Sequence, residues 1–359
     1  MIALPQTSIA APPRGSVLGG RSRAVAVWLF SVAAFVWLMV VVGGATRLTG
    51  SGLSITEWKP LAGALPPLTD GAWASLFAKY RTTSQFRLIN QGISLDEFKF
   101  LFWWEWGHRL LARCVGVVFA GPLLVFLALQ RIPRRLIGRC LILLTLGGLQ
   151  GLVGWWMVES GLEGRASVAP ERLAAHLGLA LLLLGALVWT GLDAWSTTPA
   201  RYRSRRPWRL AAGLFAAGVF LQCLMGALVA GNGGGRVDTD WPLMGGRFVP
   251  DDYWQGGLWA TLAHGRAAAQ FDHRMLAYGL LAGGLALLAA ARRDRGGGAL
   301  GALPGLTVLL LVFQAGLGVA TLRLGDPLGL ALAHQANAAL LLCSAVALAW
   351  RADRPHAVS

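Results

Sequence analysis

Six histidines occur in this 359-residue chain, at positions 108, 176, 264, 273, 334 and 356. Four of them sit in matching surroundings. Glu105-Trp106-Gly107-His108-Arg109-Leu110-Leu111-Ala112 aligns with Gln270-Phe271-Asp272-His273-Arg274-Met275-Leu276-Ala277, and Ala174-Ala175-His176 aligns with Leu332-Ala333-His334. His108 and His176 are 68 residues apart, and His273 and His334 are 61 apart. A neutral imidazole is the commonest metal ligand. A structural zinc site wants four ligands close together, whereas each half offers two histidines and no local Cys pair. Two axial ligands suit a heme iron, whose porphyrin supplies the other four. The spacing therefore predicts one heme between His108 and His176 and another between His273 and His334. His264 has no counterpart and His356 lies in the tail, so both read as surface residues.

Ligands so placed need elements that bring them to one depth. The chain is 55% hydrophobic and 14% charged, with a mean hydropathy of +0.55. A soluble domain averages about 25% charged residues, so lipid is the better solvent for this surface. Eight apolar runs approach the ~20 residues that cross a bilayer as a helix: 24–44, 108–129, 137–158, 172–194, 209–230, 273–291, 303–322 and 328–350. The first run exceeds the apolar core of a signal peptide and reads as a retained anchor. The fold class expected is an all-α membrane protein of eight transmembrane helices.

The net charge of +15 is unevenly spread. One set of loops carries Arg21 and Arg23, Arg131, Arg134, Arg135 and Arg139, Arg201, Arg203, Arg205, Arg206 and Arg209, Arg292, Arg293 and Arg295, and Arg351 and Arg354. Only Asp193, Asp294 and Asp353 share that side, and the other fourteen carboxylates lie opposite. Lys/Arg bias in short loops sets orientation, which predicts cytoplasmic termini and argues against a nucleic-acid surface. All four histidines then fall near the outer start of a span running inward.

The long outer loops, about 45–107 and 231–272, match as well. Glu57-Trp58-Lys59-Pro60-Leu61 aligns with Asp240-Trp241-Pro242-Leu243, and Leu149-Gln150-Gly151 with Phe313-Gln314-Ala315-Gly316. Repeats of this kind indicate duplicated units, here two four-helix bundles in the same orientation. The expected organisation is a tail at 1–23, an N-terminal half at 24–195, a C-terminal half at 209–350 and a tail at 351–359.

Arg109 and Arg274 follow histidines near the outer interface, where an arginine pairs with carboxylates such as heme propionates or snorkels to the headgroups. Glu57 and Glu105 are candidates to relay protons or stabilise a developing cation; a loop salt bridge or cap is the alternative for Glu57. The Asp96-Glu97-Phe98-Lys99-Phe100 run predicts an amphipathic segment on the membrane surface. Gly147, Gly151 and Gly154 suggest close helix approach. Cys114, Cys140, Cys223 and Cys343 lie singly in spans and act as small apolar residues. These features accommodate an enzyme, a diheme electron-transfer cytochrome or a heme carrier.

Beyond that chemistry, the chain resembles the heme A synthase family. The residues that carry the resemblance are Gly43-Gly44-Ala45-Thr46-Arg47-Leu48-Thr49-Gly50-Ser51-Gly52-Leu53-Ser54, Glu57-Trp58-Lys59-Pro60 through Pro66-Pro67, Glu97-Phe98-Lys99, Glu105-x-x-His108-Arg109, Gln270-Phe271-Asp272-His273-Arg274 and the Gln150 and Gln314 helices. The first long loop lacks a Cys pair, as in the mitochondrial and alphaproteobacterial branch. The resemblance implies an inner-membrane oxidoreductase that converts a ring methyl of heme O to a formyl, giving heme A for terminal oxidases. It implies substrate heme O between His108 and His176 with Glu57 in the catalytic loop, and a resident heme b between His273 and His334. Its implied partners are a heme O synthase, terminal oxidase assembly factors, a membrane electron donor and the lipid bilayer.

Overall fold

The computed structural model describes residues 15–162, 164–196, 206–293 and 300–353. Parts of the expected tails, with Arg354 and His356, and the loop arginines 201, 203, 205 and 295 lie outside them. Ten α-helices are present among the described residues: α1 Gly15–Leu48, α2 Asp70–Tyr80, α3 Ser84–Leu88, α4 Leu95–Ala128, α5 Arg134–Leu162, α6 Pro170–Trp195, α7 Arg206–Asn232, α8 Arg266–Arg293, α9 Leu303–Arg323 and α10 Leu328–Ala352. All but α2 and α3 are long and apolar enough to cross a membrane. Val117, Leu124, Leu214 and Leu309 remain exposed on them, as lipid-facing side chains should.

Helix contacts draw two closed rings. In the first, α1 touches α4, α4 touches α5, α5 touches α6, and α6 returns to α1. In the second, α7, α8, α9 and α10 do the same in turn. The rings share a face made by α1, α6, α7 and α10. Trp37 Nε1 on α1 donates to the Ala336 carbonyl on α10 at 3.0 Å, and Gln335 Nε2 on α10 donates to the Val40 carbonyl at 2.6 Å. Towards the other end, buried Asp193 on α6 pairs with Arg139 on α5 and accepts from Trp350 Nε1 on α10 at 2.7 Å. That partnering explains how an aspartate sits among arginines at the end of an apolar helix: a buried carboxylate needs paired charge and hydrogen bonds.

Several helices outrun the apolar stretches that predict them. At 34 residues, α4 is roughly 50 Å long at about 1.5 Å per residue, more than the ~30 Å hydrocarbon layer. The Asp96–Phe100 run is its first turns and not a separate surface segment. Ser94 starts the helix through a capping box: its hydroxyl accepts the Glu97 N–H at 3.2 Å, while the Glu97 carboxylate accepts the Ser94 N–H at 2.7 Å. The projecting turns give α2 and α3 something to pack on. Trp73, Tyr80, Phe98 and Phe102 are buried together there, with Trp73 edge-on to Phe102 at 4.9 Å. Gln85 Nε2 donates to the Gly50 carbonyl at 2.9 Å, tying this small cap to the end of α1.

Candidate functional site: four histidines around one cavity

A cavity of about 1940 Å³ opens inside the two rings, lined by His108, His176, His273 and His334 among others. Single small-molecule pockets run to roughly 300–1,000 Å³, so this space suits more than one large ligand. Each histidine lies on a helix whose predecessor among the long helices presents a glycine to its ring. A Cβ on Gly43 would stand 2.9 Å from His108 Cε1, on Gly154 2.8 Å from His176 Cε1, on Gly226 3.2 Å from His273 Cε1, and on Gly318 3.0 Å from His334 Cε1. A Cβ at Gly43 or Gly154 would force the ring to shift and one at Gly226 or Gly318 would press on it, so four separate glycines leave room for four rings. Gly147 and Gly151, expected to bring helices together, instead border open space.

The ring centres of His273 and His334 are 6.4 Å apart at an interplanar angle of 70°. Metal–imidazole bonds are about 2.0–2.1 Å. With roughly another 1 Å from each nitrogen to its ring centre, two imidazoles on opposite sides of one metal have centres about 6 Å apart. The observed gap matches that separation. No cluster of three or more His, Cys, Asp or Glu capable of holding a metal is found among the described residues. The donor set fits a metal that brings its own equatorial ligands, as a heme does.

Three of the rings also have an amide partner. Gln150 Nε2 lies 3.2 Å from His176 Nδ1, Gln222 Nε2 3.1 Å from His273 Nδ1, and Gln314 Nε2 3.0 Å from His334 Nδ1. Gln150 and Gln222 also donate to the carbonyl of the histidine they face, both at 2.9 Å. Asn337 Nδ2 donates to Gln314 Oε1 at 2.8 Å. These glutamines escape a search for ligands because they bear no metal chemistry themselves. Their signal is spacing: each stands four residues before the glycine that faces the ring.

The two arginines beside the histidines face the two long loops. Arg109 donates to the Ile55 carbonyl at 2.8 Å, the Glu57 carbonyl at 3.0 Å and the Glu105 carboxylate at 2.6 Å. Arg274 donates to the Asp238 carbonyl at 3.0 Å and the Leu243 carbonyl at 2.9 Å. Glu105, buried, accepts in addition from Ser54 Oγ at 2.7 Å and the Ile55 N–H at 2.8 Å. Gln270, at the matching position before His273, donates to the Asp238 carbonyl at 3.0 Å. Both loops are thus pinned to the helix that carries a histidine, at the residue two places before the loop carboxylate.

The carboxylates themselves differ. Glu57 lines the cavity mouth and pairs with Lys79 at 2.8 Å and Lys59 at 3.0 Å. Hydrogen bonds from Lys79 and then Lys59 hold its pKa below the ordinary 4.5, so it is an anion at neutral pH. Asp240 instead accepts the Gly246 and Gly245 N–H groups at 3.0 and 2.9 Å, which lower its pKa and close a turn. His264 is exposed at the end of a five-residue π-helix, Ala260–His264, edge-on to Trp259.

The sequence matches the COX15-CtaA family, described as cytochrome oxidase assembly protein, over residues 26–346. It is 58% identical to a heme A synthase of Caulobacter vibrioides over 336 residues, covering 93% of this chain and 98% of that one. It is 55% identical to a heme A synthase of Caulobacter sp. strain K31 over 342 residues, 93% and 98% of the two chains. Identity to the heme A synthase of Paracoccus denitrificans is 43% over 346 residues, 95% and 91%. With a family match running from the first span to the last and relatives aligned nearly end to end, this multi-pass membrane protein belongs to the COX15-CtaA family of cytochrome oxidase assembly proteins.

Proposed function

We propose that the chain is a heme A synthase of the inner membrane, an oxidoreductase that oxidises a ring methyl of heme O to a formyl and so produces heme A. The observation that carries this reading is the doubled histidine pair around one cavity, joined to end-to-end similarity with proteins of that name. His273 and His334 would hold a resident heme b, and His108 and His176 the substrate heme O. The two halves would be copies of one four-helix unit in the same orientation, with both termini on the cytoplasmic side.

A bound heme b supplies one-electron redox chemistry at its iron. The chain's residues supply position and charge. The glycines leave space for the rings, and the glutamines fix three of them. Arg109 and Glu105 hold the Ile55–Glu57 segment against α4, which keeps the Glu57 carboxylate at the cavity mouth. Oxidation of a methyl group withdraws electron density from its carbon, and an anion nearby lowers the energy of that change. A carboxylate also accepts a proton released there. Arg109 and Arg274 retain N–H groups beyond those committed to the loops, and propionates are suitable partners for them. A heme O synthase would deliver substrate and oxidase assembly factors would receive the product; the change from –CH3 to –CHO balances as two hydroxylations, each consuming one O2, two protons and two electrons from a membrane electron donor and releasing one water, after which the geminal diol loses water.

The test is the pigment of the purified protein after co-production with a heme O synthase. Extraction should give heme b together with hydroxylated or formylated heme. Heme b alone, in a preparation shown to have received heme O, would overturn the enzyme in favour of a diheme electron-transfer protein.

A further inference from the structure

We infer that His108 is built as the releasable ligand of the four, because α1 carries Met39 where the other three partner helices carry a histidine-anchoring glutamine. The register is explicit. On α5, α7 and α9 the order is Gln150–Gly154, Gln222–Gly226 and Gln314–Gly318, four residues apart in each case, with the glutamine at hydrogen-bond distance from the ring that the glycine faces. On α1 the glycine facing His108 is Gly43, and four residues before it stands Met39, which lines the same cavity. Nδ1 of His108 is buried with no hydrogen-bond partner.

The three amides are themselves held, Gln150 and Gln222 by donating to the carbonyl of the histidine they face and Gln314 by accepting from Asn337, so each presents a fixed polar nitrogen to its ring; a thioether has no donor and is only a weak acceptor. Groups packed against a metal-bound imidazole fix its orientation, and their loss costs about 10–100-fold in metal affinity. His176, His273 and His334 each have an amide nitrogen 3.0–3.2 Å from Nδ1 and 3.3–3.5 Å from Nε2, whereas Nδ1 of His108 has no partner. The inference rests on the reading of the histidine pairs as heme ligands. It gives the asymmetry between the pairs a purpose. A resident heme needs two fixed ligands, whereas a heme that enters as substrate and leaves as product needs one side that lets go. His108 is thus a positioning element for exchange, and Met39 sets its looseness by forming no strong bond.

The experiment measures heme transfer from the full-length protein in detergent, loaded with heme b as probe, to excess apomyoglobin. Parent protein should release heme in a fast and a slow phase. His108→Ala should remove the component that gives the fast phase, and His273→Ala the component that gives the slow one. Met39→Gln should slow the fast phase by roughly ten-fold and strengthen the low-spin bis-imidazole spectrum of that component. Met39→Leu, which adds no donor, is the reference for a change of side-chain shape. Gln222→Met should conversely speed the slow phase. An unchanged fast phase in a Met39→Gln protein that still binds both hemes would overturn the inference, as would equal slowing by Met39→Leu and Met39→Gln. Absence of any histidine-dependent heme from the parent protein would instead overturn the proposed function, so the two failures are distinct.

Discussion

Glu105 and Arg109 meet at 2.6 Å one turn apart on α4, and between them they take up the backbone of the loop that carries Glu57. Glu105 is 3% exposed and Arg109 20%, so the pair is a fastening made largely out of water. Removing one partner of a buried pair costs about 3–5 kcal/mol, because the other charge is left uncompensated. Arg109→Ala should therefore do more damage than Glu105→Gln, which abolishes the charge and keeps a group able to accept the Ser54 and Ile55 donors. The measurement is limited proteolysis of the folded protein, with cleavage mapped in residues 55–68. Equal protection in parent and Arg109→Ala would show that the loop is held by other means.

The proposed pairing of His273 with His334 and of His108 with His176 makes the histidines separable by halves. His273→Ala or His334→Ala should abolish the resident low-spin heme b signal, while His108→Ala or His176→Ala should leave it in place. Optical spectra of the four purified variants decide this. Retention of the full signal in both His273→Ala and His334→Ala would remove the second site.

Orientation is open to direct measurement. Reporter domains fused after Pro67 and after Gln255 should register on the outer side, and one fused after Leu129 on the cytoplasmic side. The opposite pattern would invert the proposed topology and put the cavity mouth in the cytoplasm.

The eight long helices and the four histidines were legible because each announces itself locally: an apolar run too long for anything but a span, and a titratable ring inside it. The small cap formed by α2 and α3 was not. Helices α2 and α3 are 11 and 5 residues long, too short to stand alone in water. They exist because Trp73, Tyr80, Phe77 and Phe86 reach Phe98 and Phe102 on the projecting turns of α4, a contact between distant segments that no local period reveals. The partners of Arg109 and Arg274 escaped for a related reason. An arginine beside a ligand histidine invites a propionate, yet its geometry also satisfies loop carbonyls more than 30 residues away in sequence. Gln150 and Gln314 could be aligned from sequence, but Gln222 and the exception at Met39 stood out only once each glycine was seen against its ring.

The Glu57 carboxylate is about one-third exposed and is held by Lys79 and Lys59, whose hydrogen bonds depress its pKa below 4.5. A depressed carboxylate keeps its charge to a lower pH than an ordinary one, so activity that depends on this anion should not fall as pH drops from 7 towards 5. Lys79→Met removes the larger cause and should move the acid limb of the activity upward, towards the unperturbed value. Glu57→Gln keeps the shape and removes the charge; it should assemble with heme b bound yet make little or no heme A, accumulating heme O or the alcohol. Asp240→Asn should be much milder, because Asp240 is spent on the Gly245 and Gly246 N–H groups of its own turn. Heme extracted from the two variants, each produced with a heme O synthase, is the deciding measurement. Normal heme A from Glu57→Gln would reduce the residue to a lysine clamp on the loop, and the charge requirement would pass to Glu105, the buried carboxylate nearest in sequence to His108.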